Sequence, residues 1–226
     1  MNKSVCLLSG GMDSAVSAAI AKSEGYEIFA LHANYGQRTH QRESKAAKDI
    51  ADYLDACDFK VVDMNFLREI GYSALTSVNI DVPQGVLSED VPPTYVPFRN
   101  TILLSLATAY AETLCADAIF IGSHREDFGG YPDNRPEYIE AMQKVIELGT
   151  RPQTHIKLRA PLLAMDKRDI IKKGFDLEVP FDMTWSCYKN NDKACGLCES
   201  CIRRYRAFKQ AGCNDPIEYE NIPGNL

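Results

Sequence analysis

Two groups of residues in this sequence have the types and spacing that chemistry needs: Ser9-Gly10-Gly11-Met12-Asp13-Ser14, and Cys187 followed by Cys195, Cys198 and Cys201. In the first, paired glycines let the backbone take conformations closed to other residues and keep side chains away from whatever approaches. The apolar run Val5-Cys6-Leu7-Leu8 ahead of it reads as a buried strand, and the Ala-rich stretch Ala15 to Ala21 behind it as a helix. A glycine turn between strand and helix aims the free N–H groups of the first helical turn, with the positive end of the helix dipole, into the loop. That makes a cradle for a phosphate chain. Asp13 suits a cation better than a bare anion, and Mg²⁺ shared between its carboxylate and phosphate oxygens reconciles the two. Ser9, Asp13 and Ser14 also offer capping oxygens, so the same residues fit a plain strand-to-helix turn. The spacing is neither that of a Walker loop nor that of a dinucleotide fingerprint.

The four clustered cysteines are enough to close a tetrahedral Zn²⁺ shell, and a closed shell is a structural one. A redox Cys-x-x-Cys would leave two of them unexplained, an iron–sulfur cluster has no other electron-transfer feature beside it, and buried thiols without metal are the plain alternative. Cys6, Cys57, Cys115 and Cys213 read as inert thiols.

Two further stretches carry polar chemistry. Arg99 and Asn100 follow Pro97 at the start of an apolar helical pattern, where an arginine can reach a phosphate or carboxylate, or be a surface residue beside an Asn cap. The run Ser123 to Arg135 joins two arginines, several carboxylates, aromatics and a Gly-Gly pair. Asp127 and Asp133 can accept from ring N–H and amine groups, Tyr131 or Phe128 can stack on a flat heterocycle, and Arg135 can pair with a substrate carboxylate. A flexible acidic loop is the alternative. His124, alone in that loop, reads as structural or surface.

The elements that must position these residues follow from periodicity. Strands are predicted at Val5–Leu8, Glu27–Ala33, Phe59–Asp63, Ala118–Gly122 and Ile156–Ala160, and helices at 15–21, 38–54, 98–115, 137–148 and 166–175. Alternating strands and helices with short connections imply a Rossmann-like α/β fold: a five-stranded parallel sheet with helices on both faces and ligands at the carboxyl ends of the strands. The Pro-rich stretch Tyr72 to Pro97 has no periodicity and reads as an active-site cover, a dimer contact or a disordered loop.

With 226 residues, 45% of them hydrophobic, and a net charge of −6, the chain suits one soluble core. The acidic balance argues against a nucleic-acid surface. No run approaches the roughly 20 apolar residues of a membrane span, and a strand begins within a few residues of the start, so a cytoplasmic location is expected. The basic clusters Lys167-Arg168 with Lys172-Lys173, and Arg203-Arg204-Tyr205-Arg206, read as solvated helix faces.

Ser-Gly-Gly-x-Asp-Ser after a first strand resembles the loop of the PP-loop ATP pyrophosphatases. Taken with Pro97 to Asn100, Asp127, Gly130-Tyr131-Pro132-Asp133 and the four cysteines, in this order over nearly the whole chain, it resembles the 7-cyano-7-deazaguanine synthase family. That resemblance implies an ATP-dependent ligase that turns 7-carboxy-7-deazaguanine and ammonia into a nitrile through adenylated carboxylate and amide, feeding queuosine or archaeosine synthesis. It implies ATP, with Mg²⁺, at Leu8, Ser9, Gly10, Gly11, Met12, Asp13, Ser14, Ala15 and His32, and catalysis by Asp13, Ser14 and Arg99. Substrate would lie against Arg99, Asn100, Asp127, Tyr131, Asp133 and Arg135, and one structural Zn²⁺ on Cys187, Cys195, Cys198 and Cys201. It further implies a catalytic domain over 1–180, a zinc-binding helical segment over 181–226 packed on it, a homodimer and small-molecule partners only. One departure is Asn134, where family members often carry Cys after Tyr-Pro-Asp. The competing readings are a PP-loop relative that attaches a deazaguanine to a macromolecule, and a zinc-stabilised nucleotide-binding module without ligase activity.

Overall fold

The computed structural model describes residues 2–85, 91–127 and 130–224. Phe128, Gly129 and the centre of the Tyr72 to Pro97 stretch therefore lie outside the described residues. The chain alternates strand and helix from its start: β1 (Asn2–Leu7), α1 (Met12–Ser23), β2 (Tyr26–Asn34), α2 (His40–Tyr53), β3 (Asp58–Asp63) and the short α3 (Phe66–Ile70). It continues with α4 (Arg99–Leu114), β4 (Ala118–Phe120), α5 (Pro136–Gly149), β5 (Lys157–Arg159), α6 (Lys167–Asp176) and α7 (Glu199–Gln210). The five strands are all parallel, in the order β3-β2-β1-β4-β5. The predicted sheet is present, and α3 is an addition that its single turn hid from periodicity.

Strand alternation divides the core. Cys6, Leu8, Ile28, Ala30, Ala118 and Phe120 face α1, α2, α6 and α7, whereas Val5, Leu7, Leu31 and Ile119 face α4 and α5. α1 is buried from Ser14 through Ala21, and only small side chains let a helix sit that deep against a sheet. The strand order reverses direction between β1 and β4, so the loops leaving those strands part and open a crevice. The glycine loop between β1 and α1 lies there.

The C-terminal segment is fastened to this frame by Arg204, which was read as solvated. Its side chain is fully buried, donating to both Asp215 carboxylate oxygens at 2.8 and 2.9 Å, to the Phe181 carbonyl at 2.9 Å and to Thr184 Oγ1 at 2.6 Å. The stretch from Tyr72 to Pro97 is also tied down where it is described. Arg38 donates to the carbonyls of Ala74, Ser77 and Ile80, and Ala74 donates to the Pro93 carbonyl.

Removing one member of a buried ion pair leaves the other uncompensated, at a cost of about 3–5 kcal/mol. Arg204→Met is therefore expected to lower the melting temperature by roughly 6–20 °C for a domain of this size. Calorimetry that finds an unchanged melting temperature contradicts this account of the anchor.

Candidate active site

The glycine loop is shaped by its own hydroxyls. Ser14 Oγ donates to the Gly11 carbonyl at 2.9 Å and lies 3.0 Å from Ser9 Oγ, while the Ser9 amide donates to Ser14 Oγ at 3.2 Å and the Gly11 amide to Ser9 Oγ at 3.3 Å. The N-cap of α1 is Gly11, and no side chain caps the helix. The capping role offered to Ser9, Asp13 and Ser14 is thus not what the structure shows, and the first-turn N–H groups remain available to an anion. Gly10 takes a φ of +87°, and a Cβ there would lie 2.5 Å from the Glu43 carbonyl oxygen. On the other side of the loop a Cβ on Gly122 would lie 2.9 Å from the backbone of Asp13 and Ser14. The loop is wedged between α2 and the exit of β4, and neither position has room for a side chain.

A cavity of about 280 Å³ opens above it. At its floor Asp13 Oδ2 accepts from Lys167 Nζ at 2.7 Å, with His124 Nε2 at 3.9 Å from the same oxygen and 3.2 Å from Asp127 Oδ2. Burial works to raise the Asp13 carboxyl, but the neighbours that favour its charged form, the Lys167 ammonium first among them, together outweigh burial and hold the group below the usual carboxylate range. Asp127, without such a partner, is pushed up to about 7 by burial, with the Asp13 charge adding to the effect. Burial, with Lys167 nearby, brings His124 down to about 3, so its imidazole is neutral. Asp13 Oδ1 is buried with no hydrogen-bond partner. A carboxylate oxygen left in that condition beside an anion cradle is what a divalent cation shared with phosphate requires, so these residues fit Mg²⁺. His32 Nδ1 lies 2.9 Å from the Leu8 carbonyl, which can only accept, so Nε2 is the unprotonated nitrogen at the edge of the cavity.

The opposite wall is aromatic and basic. Arg99 lies over the Tyr35 ring at 5.0 Å and donates to its hydroxyl at 2.9 Å, and Tyr131 Oη sits 3.3 Å from Thr94 Oγ1. Tyr188, Glu199, Ser200 and Arg203 also line it. Of the residues expected to touch ligands, Leu8, Ser9, Gly11, Met12, Asp13, Ser14, His32, Arg99, Asn100, Asp127 and Tyr131 line this cavity. Gly10, Ala15, Asp133 and Arg135 do not. Asp133 is spent elsewhere: buried, it accepts the Asn100 amide N–H at 2.9 Å and so caps α4, whose own N-cap, Phe98, is in the left-handed region at φ +60°. Asn100 is thus no cap. Its side chain donates to the carbonyl of Asp133 and to Asn134 Oδ1, and that oxygen also accepts from Ser123 Oγ at 2.5 Å. Asn134 therefore ties the loop after β4 to the start of α4.

The four cysteine sulfurs all lie within 4.8 Å of one another, with Cys195 and Cys201 3.9 Å apart and all four thiols free. A tetrahedral Zn–S shell with arms of about 2.3 Å has edges of about 3.8 Å, so the cluster fits a metal ion. Backbone N–H groups of Lys189, Asn190 and Cys195 point at Cys187 Sγ, and those of Leu197 and Cys198 at Cys195 Sγ, at 3.3–3.4 Å. Donors aimed at sulfur stabilise thiolates.

The sequence model of the family described as queuosine biosynthesis protein QueC matches residues 3–212. This chain belongs to that family. The 7-cyano-7-deazaguanine synthases of Sulfurovum sp. strain NBC37-1 and Methanospirillum hungatei JF-1 are 54% and 52% identical to it, over 96% of this chain and 98% and 99% of theirs. In fold it is similar to a crystal structure of a predicted tRNA methyltransferase subunit from Methanocaldococcus jannaschii, with a TM-score of 0.52 at 18% identity over 95% of this chain and 90% of that one.

Sequence reasoning missed several cavity residues of this QueC-family chain. Lys167 and Arg203 were read as solvated, yet Lys167 is buried against Asp13 and Arg203 faces the cavity beside Glu199. The available signal for Lys167 was position: it directly follows Asp166, whose side chain accepts the Asp169 amide as the cap of α6, so it opens a helix at the carboxyl end of β5. His124, set aside as structural or surface, sits at the floor.

Lys167→Met removes the cation that depresses Asp13. In the wild type this pair contributes stability above the unfolded carboxylate value near 4, and that contribution is lost as pH falls through the depressed folded value. In the variant the carboxylate, unpaired and only a quarter exposed, has its pKa raised and is relieved by protonation, so the loss falls below the about 3–5 kcal/mol of a fully buried pair near neutrality. Thermal melts from pH 8 to 5 should show the gap between the two proteins narrowing toward acid, and a gap that widens contradicts the pairing.

Proposed function

We infer that this chain is a carbon–nitrogen ligase that converts 7-carboxy-7-deazaguanine, ammonia and ATP into 7-cyano-7-deazaguanine in queuosine or archaeosine precursor synthesis. The observation that carries this reading is that one cavity holds both a helix N-terminus without a side-chain cap and a polar aromatic wall suited to a flat heterocycle, in a chain half identical to 7-cyano-7-deazaguanine synthases over nearly their whole length.

The residues divide the labour by place. The loop from Leu8 to Ala15, with His32 at its side, takes ATP, and its first-turn N–H groups and Lys167 receive the departing pyrophosphate. Asp13 would hold Mg²⁺, which when bound supplies charge neutralisation on phosphate oxygens. Arg99 steadies the substrate carboxylate from the aromatic wall. A carboxylate oxygen attacks the α-phosphorus and pyrophosphate leaves; ammonia then adds at carbon and AMP leaves, giving the amide. The amide oxygen repeats the attack on a second ATP, and loss of AMP and the nitrogen protons gives the nitrile. The Asp127 carboxyl, poised near 7, is placed to take protons from nitrogen.

Cys187, Cys195, Cys198 and Cys201 would hold one Zn²⁺, whose role is to secure the C-terminal segment 181–226 against the catalytic portion 1–180. Among the described residues no helix is long and apolar enough to cross a membrane, and the net charge of −6 supports small-molecule partners over nucleic acid in a cytoplasmic enzyme. Exposed Phe66, Ile70, Tyr72 and Phe98 support association of two copies.

Cys198→Ser should yield protein that is insoluble or lacks zinc by elemental analysis, because structural zinc contributes an apparent ~10–16 kcal/mol in small peptides, as much as a domain's whole stability. Soluble, fully active, zinc-free protein contradicts the role. For the reaction itself, 7-amido-7-deazaguanine supplied with ATP and no ammonia should still give nitrile, AMP and pyrophosphate by mass spectrometry. A strict ammonia requirement, or ADP and phosphate as the nucleotide products, overturns the mechanism.

A further inference from the structure

The thiolate cluster and the cavity share a helix. Cys198 is the N-cap of α7 and Cys201 lies in its first turn, and the residues between them, Glu199 and Ser200, face the cavity with Arg203 one turn on. A metal on those cysteines therefore fixes a stretch of active-site wall to within a residue on each side. The described part of the covering segment closes on the same place, since Gln84 bridges to Cys198 and the Gly85 amide donates to the Leu197 carbonyl at 3.1 Å.

The cavity holds four carboxylates. Asp13 is paired with Lys167, and Glu43 accepts from Thr39 Oγ1 and from Gln37 Nε2 at 3.0 Å. Asp127 sits against His124, close to Asp13, at the phosphate end where the reacting carbon must lie. Glu199 comes from a different element, the first turn of α7 beside Cys198. Its side chain is 14% exposed, and Arg203 holds it by donating from Nε at 3.0 Å and Nη2 at 2.8 Å, both to Oε1. Among the described residues Oε2 accepts no hydrogen bond. Tyr131, the stacking surface, feels both remaining carboxylates: its phenol is raised chiefly by burial and further by Asp127 and Glu199.

A 7-deazaguanine ring presents its 7-substituent on one edge and, on another, two adjacent donors, N1–H and the 2-amino group. With the 7-substituent at the Asp13 end and the ring against Tyr131, the donor edge needs a carboxylate away from the phosphates. We propose that Glu199, oriented by Arg203, is the specificity residue that accepts from the N1–H and 2-amino edge of the substrate ring. The cysteine cluster then governs substrate recognition as well as folding. This inference rests on the function proposed above and deepens it.

Calorimetric binding of 7-carboxy-7-deazaguanine and of the same ring without its 2-amino group, to wild type, Glu199→Gln and Asp127→Asn, tests it. Wild type should bind the authentic ring about 10- to 100-fold more tightly, as loss of a charge-assisted hydrogen bond implies. That preference should collapse to a few-fold in Glu199→Gln, with ATP affinity and zinc content unchanged, and persist in Asp127→Asn. Equal binding of the two rings by wild type, a preference retained in Glu199→Gln, or its collapse in Asp127→Asn overturns the assignment. If Glu199→Gln fails to hold zinc, the Asp127→Asn arm decides. Wild type that binds the ring yet forms no nitrile with ATP and ammonia would instead refute the ligase reading and leave this assignment to be judged on binding.

Discussion

A carboxylate and an ammonium drawn from positions 154 residues apart in the chain meet at 2.7 Å between α1 and α6, with Lys167 almost wholly out of water. Burying such a pair is a poor way to gain stability, because the desolvation of two ions offsets most of their attraction. Its consequence is positional. For Asp13 and Lys167 to meet, α1 must sink against the sheet, β4 must leave past it without a side chain at Gly122, and β5 must deliver α6 over the same crevice. Each of these is visible in the residues: the small side chains of α1, the close approach at Gly122, and the Asp166 cap with its bond to the Asp169 amide at 2.9 Å. The loop after β4 is tied to the same point by Glu126, which accepts the Lys167 amide at 2.8 Å. The ion pair is the place where the strand order's reversal becomes a site.

Around that point the chain has arranged cations and neutral groups to receive anions. A nucleoside triphosphate and a substrate carboxylate in one cavity would repel each other and the carboxylates beneath them. Lys167, Arg99 and Arg203 supply positive charge, while burial keeps His124 neutral and lifts Asp127 to about 7 so that it does not stand fully ionised against phosphate. Asp13 alone at the floor is kept ionised, by Lys167, and it is the carboxylate with a buried oxygen still unpartnered. Environment, more than residue type, separates the roles of Asp13 and Asp127.

The sheet and its helices were legible because their signals are local: period-two and period-3.6 patterns, glycine stops and an Asp cap. So was the turn between β1 and α1, where paired glycines follow a strand and open a helix. The cysteine cluster was legible from spacing alone. What escaped was long-range. Lys167, Arg203 and Arg204 look like exposed basic residues on amphipathic helices, and only the packing of α6 against α1 and of α7 against α6 turns them inward. Asp133 erred in the other direction, a polar loop residue that looked like a ligand and is a helix cap supplied from 33 residues away. α4 begins at a non-glycine residue in the left-handed region, a start that propensity would not choose, and the distant cap is what makes it tenable.

The same economy explains how one cavity can serve two activations. A carboxylate and the amide made from it differ by one oxygen exchanged for nitrogen, and each presents a single oxygen to be adenylated from the same edge of the ring. If the ring is held at its far edge, by a carboxylate that the cysteine-bound helix keeps in place, then that oxygen returns to the same point over Asp13 after the first AMP and pyrophosphate have left. Precision at the reacting centre depends in this way on contacts remote from it, since binding energy spent on the unreacting part of a substrate fixes the position of the part that reacts. Arg204, buried with Asp215 and bonded to the Phe181 carbonyl, holds α7 to the frame, and the Trp185 amide, donating to the Gly10 carbonyl at 2.8 Å, links the strand of chain before it directly to the phosphate loop. On the binding mode proposed above, the two ends of the substrate would be referred to one frame by residues from opposite ends of the chain.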